Sequence, residues 1–436
     1  MQLLREINGV DCACQKEHYY PLENIITGKG VIDKIAQVVN RFSAKKAFVL
    51  SDKNTDVVVG KKVREILEKN DIECSHYTFM CEEVVPDEKS VGLAIMHYDY
   101  SSQIIIGVGS GVINDICKIL SATTGNPYII VATAPSMDGY ASATSSMTRN
   151  GLKISLPSRS ADVIIGDSDI LCSAPYKMLV SGLGDMLAKY ISICEWRIAH
   201  LITGEYYCEK VANLIRNAVK ECVDNANGLK NKNEKAVMAV FNGLLIGGIA
   251  MNYAGMSRPA SGVEHYFSHV WDMRGVEFDL DVEFHGIQCA IGTKIAVELY
   301  QRLLSIKPNK IKAKEYVKNF DLESWNKELK DFLGKSAESM IELEMREGKY
   351  DKIKHEKRLQ IIIEKWDDIV KIIKEELPDP SKLTELYDLV GLPKDTKEIG
   401  ISESVMRKSF FATKDIRDKY VLSRLCWDLG IIDEII

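Results

Sequence analysis

Through the first 170 residues, apolar positions come in short unbroken runs separated by segments of helical period. Lys46-Ala-Phe-Val-Leu-Ser-Asp52, Gln103-Ile-Ile-Ile-Gly-Val108, Tyr128-Ile-Ile-Val-Ala132 and Asp162-Val-Ile-Ile-Gly-Asp167 read as buried strands, with Cys74 to Met80 as another. Val31–Ala36, Asp56–Asn70 and Ser90–Tyr98 read as helices between them. Strands alternating with helices predict a mostly parallel sheet covered on both faces. From Pro175 the pattern turns helical, with segments at 205–226, 234–256, 286–305 and 401–435. The expected architecture is an α/β domain over residues 1–172 followed by an all-α domain over 173–436. Within the latter, residues 306–380 are dense in Lys and Glu with interspersed Ile, Leu, Trp and Phe, the pattern of amphipathic helices with solvated outer faces.

Composition narrows the class. The chain is 46% hydrophobic and 27% charged with a net charge of −6, as for an ordinary soluble protein, and it lacks the basic stripe of a nucleic-acid binder. Ala236 to Ser257 carries no charge and is nearly as long as a membrane span. However, it contains Asn242, Asn252 and four glycines, so a closely packed core helix is expected and no integral membrane segment. Cys12 and Cys14 are close, but no second pair stands at zinc-site spacing. All eleven cysteines therefore read as reduced thiols in a reducing compartment. The first residues carry early charges and no long apolar stretch, which predicts a cytoplasmic location.

Three stretches carry candidate chemistry. Gly107-Val-Gly109-Ser-Gly111-Val-Ile-Asn-Asp115 follows a strand and opens a helix, an arrangement that either presents backbone N–H groups to a phosphate or simply makes a tight turn. Thr133-Ala-Pro-Ser136-Met-Asp138-Gly-Tyr-Ala-Ser142 follows the next strand and suits a polar ligand over the sheet's C-terminal edge. The third is Ser257-Arg258-Pro-Ala-Ser-Gly-Val-Glu-His265-Tyr-Phe-Ser-His269, followed by Phe284-His285-Gly286. His265 and His269 lie roughly 40° apart on one helical face. Convergent histidines imply a metal centre or a proton relay. Asp185, in Gly184-Asp-Met-Leu-Ala-Lys189, is placed at or just inside a helix start, where the helix dipole favours a carboxylate. His18, His76, His97, His200 and His355 have no comparable neighbours.

Taken together and in order, these motifs resemble the iron-containing alcohol dehydrogenase and dehydroquinate synthase superfamily. Within it, the Arg-Pro-Ala-Ser-Gly…Glu-His form is similar to the glycerol-1-phosphate dehydrogenases. The resemblance covers roughly residues 20–300. It implies a dehydroquinate synthase-like fold and NAD(P)-linked interconversion of sn-glycerol 1-phosphate and dihydroxyacetone phosphate. It also implies one divalent metal (zinc, nickel or iron) and a homodimer. The metal ligands it implies are Asp185, His265 and His285, with His269, Asp138 and Asp185 near the substrate. Arg258 is a candidate for the substrate's phosphate. Cofactor contacts implied are Asp52, Gly109, Gly111, Val112, Ile113, Asn114, Asp115, Thr133, Ala134, Pro135, Ser136, Ser142 and Lys153. Asp52, at a strand end, suits a free ribose 2′-hydroxyl, hence NAD over NADP. The chain departs from the superfamily's usual Gly-Gly-Gly-Ser turn, with Ser110 at the second glycine and Val112 at the serine. Free glycerol or another small alcohol as substrate, and a dehydroquinate-synthase-like lyase reaction, are the alternatives.

Overall fold

A computed structural model of the chain describes residues 2–436. The chain divides into two compact units, one formed by the chain up to Met186 together with Lys220–Gly255, the other by Leu187–Val219 and Met256–Ile436. This differs from the boundary expected near residue 172. Most of the helix Tyr176–Leu187 and all of Glu234–Ala254 belong with the sheet.

In the first unit six strands form one sheet, ordered β1 (Ile25–Gly28), β8 (Val163–Asp167), β5 (Tyr128–Ala132), β4 (Ile104–Gly109), β2 (Lys46–Asp52) and β3 (Glu73–Phe79). Every pairing is parallel. β4, β5 and β8 are buried along their whole length, which is why they read as unbroken apolar runs. Since all strands run the same way, Asp52, Gly109 and Ala132 finish at one edge. Gly109 pairs with Ala132, and the Thr133 N–H donates to the Gly109 carbonyl at 3.1 Å. An antiparallel hairpin, β6 (Thr144–Arg149) and β7 (Leu152–Pro157), stands outside this sheet. Neither β1 nor β6 is marked by an unbroken apolar run.

Glu234–Ala254 is long and apolar enough to cross a membrane by length and composition, yet 78% of its most apolar window is buried inside the protein. Its glycines permit close packing, as expected. A Cβ at Gly248 would stand 2.9 Å from the Asp138 carbonyl oxygen.

The second unit is helical. Val263–Phe278 packs tightly against His285–Leu303, and a Cβ at Gly292 would lie 2.6 Å from the Glu264 carbonyl oxygen. The charged stretch forms five helices from Lys310 to Glu376. Their apolar sides deliver Trp325, Leu329, Leu359, Ile362, Ile369 and Ile373 to the interior. Two carboxylates of this stretch, Glu344 and Glu376, are nonetheless buried, and the last part of the chain buries another. Buried Asp415 accepts from Lys414 and Arg424 at 2.7 Å, and from Trp325 and Tyr350 at 3.0 and 2.8 Å. Enough donors converge on this carboxylate to make its burial tolerable.

Asp185 is not at a helix start. It lies near the end of Tyr176–Leu187, so N-terminal capping does not explain it. Gly182, three residues before it, serves packing, because a Cβ there would sit 1.8 Å from the Pro135 carbonyl oxygen. Ser181 Oγ donates to the Ser136 carbonyl at 3.2 Å, locking the helix to the same segment. Replacing Gly182 with Ala should lower unfolding free energy by about 1–3 kcal/mol in denaturant titration. Unchanged stability would mean that the Pro135 segment yields freely.

Candidate functional site

In the first unit, close packing at Gly182 sets Asp185 against the Asp138 turn. The Asp138 N–H donates to Asp185 Oδ2 at 2.9 Å, and Asp185 is fully buried. The helix Gly111–Thr124 begins at the glycine turn with no side-chain cap on its first N–H groups. Ser110 bonds Ser136 at 2.5 Å, tying the two loops together. Asp52 caps the turn after β2, its Oδ1 accepting from Asn54 and Thr55 at 2.8 and 2.9 Å.

The residue that organises this region is Lys118, which sequence reasoning missed. Its fully buried ammonium donates to the Gly139 and Thr144 carbonyls at 2.6 and 2.9 Å, to Ser142 Oγ at 3.2 Å and to Asp115 at 3.3 Å. Burial pulls its pKa below the ordinary lysine value, and Asp115 opposes that. Asn114 joins the network, donating to Gly139 O at 3.1 Å and accepting from Tyr128 at 3.0 Å. Asn114 and Ser142, expected as cofactor contacts, are bonded into the 138–144 segment, while Asp115, expected likewise, accepts from Lys118 and from the Ser146 N–H of β6 at 3.1 Å. The available signal was a lysine one turn beyond Asn114 on the same helical face. Lys153 lies on β7 of the hairpin.

In the second unit the three histidines come together. Ring centroids are 5.1 Å apart for His265 and His285, 6.5 Å for His265 and His269, and 6.2 Å for His269 and His285. His265 Nδ1 lies 2.8 Å from Glu264 Oε1. A carboxylate can only accept there, so the ring carries its proton on Nδ1 and its lone pair on Nε2. His285 reaches the same state by a different route. Ser268 Oγ donates to Gln288 Oε1 at 2.6 Å and therefore accepts from His285 Nδ1 at 2.9 Å. The Gln288 amide is itself oriented by Asp272 and the Glu283 carbonyl, at 3.2 and 3.0 Å. Two imidazoles with Nε2 lone pairs and hydrogen-bonded backs are what a metal-ligating pair requires. Buried Glu264 Oε2 has no hydrogen-bond partner, which leaves negative charge for a cation to balance.

Cys289 was not foreseen. One turn after His285, it brings Sγ to 3.5 Å from His285 Nε2, and its sulfur groups with the His265 and His285 nitrogens. Burial alone would raise the thiol's pKa, but the His265 and His285 rings beside it hold it below the usual range. Arg258 has a role other than the one expected. Its buried guanidinium is held by Glu205 through two bonds of 2.6 Å and by the Tyr420 carbonyl at 3.0 Å. It ties helical segments together and is spent in doing so. Glu195, also missed, accepts from the Val263 and Leu422 N–H groups at 2.9 and 2.8 Å, fixing the start of the His265 helix.

Residues 26–175 match the family model described as iron-containing alcohol dehydrogenase. The chain is 33% identical over 280 residues to a glycerol-1-phosphate dehydrogenase (NAD(P)+) of Methanosarcina mazei, covering 64% of this chain and 76% of that one. It is 27% identical over 413 residues to a protein of the same name from Geobacillus thermodenitrificans, covering 94% and 93%. Among solved structures it resembles glycerol dehydrogenase from Schizosaccharomyces pombe, with a TM-score of 0.60 at 16% identity over 94% of this chain and 89% of that one.

Two outcomes follow from the second unit. Ser268→Ala removes the acceptor that sets the His285 tautomer, and should weaken divalent-metal binding by about 10–100-fold in chelator competition. Burial and the charge of Glu264 push the Glu195 carboxyl up to about 8. The unfolded group ionises near about 4.3. Between these values the folded state holds the extra proton. Its stabilisation is therefore complete below the unfolded value and lost as pH rises through about 8. Glu195→Gln should flatten this decline in melting temperature, while costing some stability at low pH because an amide nitrogen cannot accept from Val263. An unchanged slope would assign the pH dependence to another group.

Proposed function

Since this chain belongs to the glycerol-1-phosphate dehydrogenase family, we propose that it is a metal-dependent, NAD(P)-linked oxidoreductase that interconverts sn-glycerol 1-phosphate and dihydroxyacetone phosphate. The observation that carries the reading is the pair of imidazoles, His265 and His285, each held with its lone pair on Nε2 by a buried partner. With Asp185 they would hold the divalent ion. Two neutral imidazoles and one carboxylate suit zinc, nickel or iron. When bound, the ion polarises the substrate's hydroxyl or carbonyl oxygen and the nicotinamide supplies the hydride chemistry.

The chain's own residues do the rest. His269, one turn beyond His265, positions the substrate and relays the proton at its secondary hydroxyl. Asp138, fixed through its backbone by Asp185, offers its carboxylate to substrate hydroxyls. The uncapped N-terminus at Gly111, with Gly109, Val112 and Ile113, faces the dinucleotide's phosphates, where a helix dipole favours negative charge. Thr133, Ala134, Pro135 and Ser136 line the adjoining loop, and Lys153 completes the cofactor contacts. Asp52, whose capping bonds both fall on Oδ1, receives the adenine ribose. Asn114 and Ser142 act by holding the 138–144 loop beneath it, and Asp115 by holding Lys118. A homodimer and a cytoplasmic location complete the proposal.

The test is NADH- and NADPH-linked reduction of dihydroxyacetone phosphate, before and after chelation, with zinc, nickel or iron restored. Activity should vanish with the metal and return with at least one of them. No reduction with any metal would sink the reading, and equal turnover of unphosphorylated dihydroxyacetone would shift it to a simple polyol dehydrogenase. His285→Ala should lose bound metal and more than about 100-fold of kcat/KM together. Full metal occupancy in that variant would show that the ligand set is wrong.

A further inference from the structure

The first unit contains a second cluster of metal-ligand atoms that the proposed chemistry does not use. Near the N-terminus, Cys12-Ala-Cys14-Gln-Lys-Glu-His18 places two thiols and an imidazole within seven residues. Nothing in the spacing alone demands convergence, and the backbone supplies it. The Gln15 N–H donates to the Cys12 carbonyl at 2.9 Å, and Gln15 adopts a left-handed conformation at φ +64°. That tight turn folds Cys12 and Cys14 back toward His18. The Cys12 and Cys14 sulfurs and a His18 ring nitrogen all fall within 4.8 Å of one another, and Cys14 Sγ lies 3.3 Å from His18 Nε2.

We propose that Cys12, Cys14 and His18 form a structural zinc site, distinct from the Asp/His/His centre, that fastens the N-terminal segment to the α/β unit. The distances match the assignment. Zinc–sulfur and zinc–nitrogen bonds of about 2.3 and 2.0–2.1 Å at a tetrahedral angle place sulfur and nitrogen about 3.6 Å apart, and two sulfurs about 3.8 Å apart. The cluster is therefore already drawn in to the size of a coordination shell. Two thiolates and an imidazole are soft-to-borderline donors that favour zinc, whereas the Asp/His/His set has one carboxylate and no sulfur.

The surroundings are those of a supported ligand. His18 is fully buried, and its ring lies 5.3 Å from that of Tyr253, near the end of Glu234–Ala254. Tyr253 OH and the Tyr20 N–H both donate to Asn8 Oδ1 at 2.7 Å, and the Gly9 N–H donates to the His18 carbonyl at 2.7 Å. Lys16 Nζ caps the Ala254 carbonyl at 2.7 Å. Residues 9–21 contain no helix or strand of their own. A segment of that kind gains most from a metal clip, because binding free energy becomes folding free energy. Closed structural sites have four ligands, so one more donor completes the shell.

The full-length protein, expressed with zinc and purified without chelator, tests this. Zinc should exceed the catalytic equivalent by one per chain. A mercurial thiol reagent should release that extra equivalent. The double variant Cys12→Ser/Cys14→Ser should lack it, while His285→Ala keeps it. In cobalt-substituted protein, a near-ultraviolet thiolate-to-cobalt band should persist in Cys289→Ser and disappear in Cys14→Ser. The double variant should melt at lower temperature but keep wild-type kcat per folded enzyme. If it fails to fold, thiol alkylation of the wild-type chain with and without zinc decides. Zinc should protect Cys12 and Cys14, and any further cysteine it protects is the fourth ligand. Unprotected thiols, unchanged zinc content in the double variant, or a Cys12–Cys14 disulfide in the protein as isolated would overturn the site.

Discussion

An imidazole can hold a cation only through the nitrogen that carries no proton, so a histidine pair becomes a metal site through the bonds made at its other two nitrogens. In the helical unit those bonds are made in two different ways. Glu264 accepts directly from His265, its neighbour in sequence, whereas His285 is served by a relay of Ser268, Gln288 and Asp272 that runs between two helices. The relay works because each member has one option left. Once Ser268 has donated to Gln288, only its lone pairs remain for His285. All of this rests on the approach of the two helices at Gly292, where any side chain would displace the Glu264 backbone.

The α/β unit solves a comparable problem with one buried cation. The 138–144 segment is one short 3-10 turn, Asp138–Ala141, leading into β6, and its carbonyls need donors. Lys118 reaches four acceptors at once, three of them on that loop. A buried ammonium is costly unless its protons are bonded, and an unbonded loop carbonyl is costly as well. Each offsets the other's desolvation. The result is a fixed platform from which the Asp138 N–H meets Asp185.

Much of the fold was legible because burial on both faces leaves a plain mark. Lys46–Asp52 and Tyr128–Ala132 fall at the strand limits read from their apolar runs. Ile25–Gly28 left no such mark, being four half-buried residues whose partner lies some 140 positions away in β8. The histidine cluster was legible too, since four-residue spacing on a helix dictates a shared face. Asp185 was recognised as important but placed at the wrong end of its helix. The glycines around it looked like a helix start, when Gly182 instead serves a contact with Pro135 that no local pattern announces. Arg258 sat in the most distinctive motif and proved to be an internal strut, because its partner Glu205 lies 53 residues earlier.

By itself, the order of residues determined which segments are strands and helices and which groups can act as ligands. Both follow from side-chain chemistry and from periods of two and 3.6, which are properties of neighbours in the chain. Tertiary structure alone decided which ring nitrogen of each histidine carries the lone pair, which cation orders the active loop, and which arginine is spent on structure. Apart from Glu264, which adjoins His265 in the chain, those outcomes depend on hydrogen-bond partners brought from distant positions. Two thiols and a histidine that looked unremarkable in the sequence became a metal-sized cluster for the same reason. A turn at Gln15 and the packing of His18 against Tyr253 set their distances, and spacing alone could not.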